Sequence, residues 1–118
     1  MPYKSSARRI WRLALENKGA WERERLLIVL LDGRERVVGV GEVPAGGATS
    51  AHVRAILRDI PPGKAVGFIS VHSQPGESPP PNDTALVARL EAIAEEIGLP
   101  LLDHVRFRGG RCQSTVGR

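Results

Sequence analysis

The segment Lys64–Gly110, KAVGFISVHSQPGESPPPNDTALVARLEAIAEEIGLPLLDHVRFRGG, decides how this chain is built. It opens on a short apolar run, KAVGFISVH, of the length and character of a buried central strand. A Pro- and Gly-rich stretch follows, VHSQPGESPPPND from Val71 to Asp83. Asn82 or Asp83 then starts a helix, DTALVARLEAIAEEIG, in which Leu86, Leu90, Ile93 and Ile97 fall on one face and Gly98 is the stop. PLLDHVRFRGG and RCQSTV read as two more strands joined at Gly109-Gly110. The polar stretch therefore leaves the C-terminal end of a buried strand and enters a helix N-terminus. In α/β architecture that is where sites tend to lie.

Toward the N-terminus, RLLIVLLD is a strand ending at an Asp32-Gly33 turn, and RVVGVGEV is its hairpin partner. Gly39 and Gly41 weaken the second strand and point to close packing or a bend. After the loop PAGGATS, Thr49 or Ser50 caps a helix over AHVRAILRDI, which Pro61-Pro62-Gly63 stops. Ser6 caps a first helix, ARRIWRLALENKG, with Ile10, Trp11, Leu13 and Leu15 as its apolar stripe. The order is α-β-β-α-β-α-β-β, an α/β chain with a mixed β-sheet flanked by helices. With 118 residues it is expected to be a single domain over 1–118.

Composition narrows the function classes without choosing one. The hydrophobic share is 42% and the charged share 25%, ordinary values for a globular domain. Cys112 is the one cysteine, so neither an internal disulfide nor a Cys-rich zinc site is available, which fits a reducing, cytoplasmic location. A net charge of +4 is compatible with nucleic acid or another acidic partner. The arginines are scattered, however, and aromatics are only 4%, too few for a base-stacking platform, so solubility is the plainer account. No apolar run approaches the roughly 20 residues of a membrane span, and no membrane association is expected. GVGEVPAGG lacks both the ending of a P-loop and the spacing of a dinucleotide loop.

His72, Gln74 and Asp83 form the first chemical constellation. Alternate residues of an extended segment point to one side, so His72 and Gln74 can share a pocket, with Asp83 returning from the helix start. Two His and a carboxylate would make a catalytic zinc set with one open position. Here one nitrogen is replaced by an amide oxygen, a ligand zinc seldom uses. On spacing alone, the plainer reading is a capping Asp83 or Asn82 and a strand-end His72. Glu42, at the end of its strand, is a candidate general base toward metal-bound water, or simply a solvated strand-end carboxylate. Asp103-His104 suggests no role by itself, and Ser114, His52 and Cys112 have no partner that the sequence supplies.

Taken together, these blocks resemble the RadC-like branch of the JAB/MPN (JAMM) family. The likeness runs from about Arg25 to Ser114, through LLIVLLDGRERVVGVGEV, HVRAILR, FISVHSQPG, LVARLEAIAEEIGLPLLDH and GGRCQS in order. It implies the JAB/MPN (cytidine-deaminase-like) fold and zinc-dependent peptidase or isopeptidase chemistry on a protein or peptide substrate. The family motif, an upstream Glu followed by H-x-H-x7-S-x2-D, maps Glu42 to the catalytic base. It maps His72, Gln74 and Asp83 to the metal ligand positions. Gln74 stands where the second His is expected, Pro80 where the Ser is expected, and the loop is two residues shorter than the pattern. The resemblance thus implies weak or absent zinc and impaired catalysis. The alternative is an inactive relative that binds protein or nucleic acid.

Overall fold

The computed structural model describes residues 25–43, 49–60, 63–74, 84–108 and 111–114. The expected first helix, the loop holding Pro80 and Asp83, and the Gly109-Gly110 turn lie outside the described residues. The described elements are β1 (Arg25–Leu31), β2 (Val37–Val43), α1 (Thr49–Arg58), β3 (Gly67–Gln74), α2 (Thr84–Ile97), β4 (Leu101–Arg108) and β5 (Arg111–Ser114). Over these residues the order read from sequence holds. Boundaries differ by a few residues: α1 ends at Arg58, and β3 begins at Gly67 and runs on through Gln74, past its apolar run.

The sheet order is β2-β1-β3-β4-β5. β1 is antiparallel to β2 and β3, β3 is parallel to β4, and β4 is antiparallel to β5. The parallel pair is joined through α2, the crossover such a pair requires. β1 reads RLLIVLL without polar alternation because both of its faces are buried. Ile28 and Leu30 join Val43, Phe68, Val53 and Leu57 of α1, and Leu90 and Ile93 of α2, in one cluster. Leu27, Val29 and Leu31 join Ile69, Val71 and Val105 in another, on the opposite face. We call these the helix face and the far face.

Two glycines are required by close approach. A Cβ on Gly41 would come within 2.7–2.9 Å of the Ile56 side chain, so the missing side chain is what lets α1 seat on β2. Gly39, two residues earlier, has only ordinary contacts at 3.5 and 3.6 Å. A Cβ on Gly67 would come within 2.6–2.9 Å of Leu102. Leu102 is an extra residue in β4: Phe68 pairs with Leu101, but the next residue, Ile69, pairs with Asp103. This irregularity shifts the pleat of β4 by one residue.

The helices end and join as their chemistry dictates. At Gly98 the backbone turns left-handed (φ 81°), and the N–H groups of Gly98 and Leu99 both donate to the Ala94 carbonyl, at 2.8 and 3.1 Å. Leu99 then packs into the helix-face core. Glu96 of α2 accepts from Arg54 of α1 at 2.8 and 3.3 Å, which holds its carboxyl below the usual range; Arg58 adds to the effect.

Asp32 organises the hairpin. Its carbonyl accepts the Glu35 N–H at 3.0 Å, and its carboxylate accepts the N–H groups of Arg34 and Arg36 at 2.8 and 2.9 Å. The Arg36 guanidinium adds a bond at 2.9 Å. The left-handed residue is Glu35 (φ 61°), not Gly33. The loop is therefore a type I turn closed by one left-handed residue.

Gly41→Ala is expected to cost about 1–3 kcal/mol in urea unfolding, the usual range for overpacking, and Ile56→Ala in the same chain should recover part of the loss. The Asp32 carboxyl is held below its ordinary value, first by the Arg36 N–H, with Arg34 and the Arg36 side chain adding to this. A depressed carboxyl contributes stability that is present above its unfolded value, near about 4, and fades as pH falls through the lower folded value. Asp32→Ala should therefore lower the melting temperature at neutral pH and flatten the acid limb of the stability curve.

Candidate site at the ends of the central strands

The pairing of β1 assigns each candidate residue to a face. Leu26, on the helix face, pairs with Val43 on one side and His72 on the other. His72 therefore projects to the helix face, and Gln74, two residues on, projects with it. The sequence expectation that these two share one side is met. Leu27, in the far-face cluster, pairs with Glu42. Glu42 therefore projects to the opposite side of the sheet from His72 and Gln74.

There Glu42 is engaged by Arg25. The Arg25 guanidinium donates through Nη2 to Oε1 at 2.5 Å and through Nε to Oε2 at 3.2 Å, a two-pronged fork. The Glu42 bond raises the already high pKa of Arg25, against a smaller lowering by burial.

Parallel pairing with β4 sets His104 and Arg106 on the helix face beside Ser70 and His72; the sequence reading gave His104 no role and did not name Ser70 or Arg106 as site candidates. Ser70, paired with Ile28 of the helix-face cluster, lies level with His104, and its hydroxyl meets His104 Nδ1 at 2.5 Å. Both side chains are fully buried. The His72 and His104 rings are tilted by 41° with centroids 6.5 Å apart, too far for a direct hydrogen bond between ring nitrogens. Arg106 pairs with His72 itself and faces the same side, with its Nε buried. Asp103 faces the far side, where Oδ1 accepts the His104 backbone N–H at 2.8 Å. Asp103 and His104, adjacent in sequence, thus serve opposite faces. Only knowledge of the parallel register could have revealed the Ser70–His104 and His72–Arg106 pairs.

The RadC-like JAB domain model matches residues 4–117, nearly the whole chain. The chain belongs to the RadC-like JAB domain family. It is 37% identical over 102 residues to a UPF0758 protein of Acaryochloris marina, covering 82% of this chain and 42% of that one. It is 34% identical over 106 residues to a UPF0758 protein of Cyanothece sp., covering 86% and 44%. A UPF0758 protein of Clostridium perfringens is 30% identical over 98 residues, covering 80% and 43%. The chain thus spans less than half the length of these relatives.

The family implies zinc, and among the described residues its ligand set is incomplete. No group of three His, Cys, Asp or Glu side chains stands together among them. Of the motif residues, His72 offers an imidazole and Gln74 a neutral amide; Asp83 lies outside the described residues. Beside them stands Arg106, and arginine carries its charge throughout the physiological pH range.

Ser70→Ala is expected to destabilise the chain by about 1–3 kcal/mol in chemical denaturation, because it strips a buried imidazole nitrogen of its hydroxyl partner. Ser70→Thr, which keeps the hydroxyl, should cost less.

Proposed function

We propose that this chain is a RadC-like JAB domain that acts by binding rather than by zinc-dependent amide hydrolysis. The observation that carries the reading is the placement of Glu42 and His72 on opposite faces of the sheet. A general base must come within hydrogen-bond reach of the water it activates. Glu42 faces away from any water that His72 would help hold, and its carboxylate is forked by Arg25. Gln74 at the second ligand position supports the same conclusion, since a neutral amide oxygen is a poor substitute for imidazole on zinc. Pro80 has no hydroxyl to stabilise an oxyanion, and loss of one such donor slows acyl-transfer enzymes by about 10²–10³. The partner of a binding domain of this kind would be a protein or a nucleic acid. Salt dependence of affinity separates them, because phosphate-driven binding weakens steeply as salt rises.

The test is metal content by mass spectrometry, beside hydrolysis of peptide and isopeptide substrates with added zinc. The wild-type protein is expected to retain far less than one zinc per chain after dialysis and to show no hydrolysis above background. Stoichiometric zinc that disappears in His72→Ala, together with hydrolysis that disappears in Glu42→Gln, would overturn the reading.

A further inference from the structure

The outer edge of β2 carries an inference about a different surface, and it holds whether or not the chain binds zinc. We infer that β2 pairs antiparallel with β2 of a second copy of this chain, joining two sheets across a two-fold axis.

β2 ends the sheet, and among the described residues its strand partner is β1 alone. Edge strands usually discourage further pairing by being short, by carrying lysine or proline, or by bulging. β2 has seven residues, as many as β1, and neither lysine nor proline. Its one irregularity is Val38, which the register skips; residues 39–43 keep unbroken register with β1. Val37 and Val40 pair with Leu31 and Val29 and so project to the far face. They are 37% and 56% exposed, and Val38 is 42% exposed. A row of valines suits a strand with neighbours on both sides, and left open at an edge it marks a contact surface.

The helix face of the same edge is open too. Between β2 and α1 lies a groove of about 600 Å³, walled by Leu30, Ile56 and Ile60 over Gly39 and Gly41. A second β2 laid along the edge brings the partner's own groove to the same seam, so apolar walls face apolar walls. Two charges select this occupant over others. Asp59 and Lys64 also line the groove, and both are exposed. Among the described residues neither side chain enters a hydrogen bond or an ion pair. A groove with one acid and one base has no net sign to draw a polyanion or a polycation. It is complementary to itself. A two-fold interface is isologous, so if Asp59 meets the partner's Lys64, then Lys64 meets the partner's Asp59. Ion pairs of this kind set register and partner choice, while strand hydrogen bonds and buried valines supply the affinity.

The experiment is sedimentation equilibrium of the full chain over a range of protein concentrations at low salt. The wild type is expected to reach twice the mass of one chain, with a measurable dimer Kd. Val40→Lys puts a charge on an exposed edge position and should raise that Kd about tenfold or more, with the melting curve confirming that the variant stays folded. Asp59→Lys and Lys64→Asp lie on the exposed rim and provide a second arm that does not touch the strand. Each alone sets like charges across the seam and should weaken self-association about tenfold. An equimolar mixture of the two restores opposite charges and should form the heterodimer at close to the wild-type Kd. A wild-type chain that stays monomeric at every concentration would overturn the inference and leave the edge to an extended peptide of another protein. A dimer indifferent to Val40→Lys, or a mixture that associates no better than either variant alone, would overturn it as well.

Discussion

The double pairing of β1 is the constraint on which the rest depends. It hydrogen-bonds to β2 on one side and β3 on the other, and its seven residues are apolar apart from Arg25. Because the side-chain period in a strand is two, this one register decides which face every residue of three strands serves. It places Phe68, Ser70, His72 and Gln74 under the helices, and Arg25, Leu27, Val71 and Glu42 on the other side. Slipping it by one residue would put Arg25 into the helix-face core and strand the leucines.

This geometry turns a question of missing ligands into one of orientation. Gln74 and Pro80 alone describe a metal site with parts removed. The sheet adds that the retained carboxylate is turned to the other face and that an arginine has joined the retained imidazole. The two changes act in one direction. The first takes the candidate base away from the His72 side, and the second sets a guanidinium level with the imidazole. Family membership fixes the scaffold, but what the site does depends on the charges that this chain mounts on it.

Much of the scaffold was legible from sequence. The amphipathic spacing of α2, the stop at Gly98, the paired strands around Asp32 and the close packing implied by Gly41 all follow from local rules. What stayed hidden is long-range. RVVGVGEV carries apolar residues in both phases of its alternation, so the facing of Glu42 is undetermined until β2 is paired with β1. The Ser70–His104 contact joins residues 34 positions apart and exists only because β3 and β4 are parallel. Glu35 is a comparable case on a smaller scale: Asp-Gly announces a turn, but the hydrogen bonds of Asp32 set the loop length and so select which residue turns left-handed.

The extra residue at Leu102 settles the electrical character of the site. Gly67 leaves the room that lets Leu102 lie against the far face, and the pleat of β4 resumes one step out of phase with Leu101. Without that step, Asp103 and Val105 would lie beneath the helices, while His104 and Arg106 would turn to the far face. A carboxylate would then sit level with Ser70, and the neighbour of His72 would be apolar. One residue of slack in a strand thus fixes the polarity of the site: drawing Leu102 into the ladder opposite Ile69 would exchange a basic floor for an acidic one without changing any side chain.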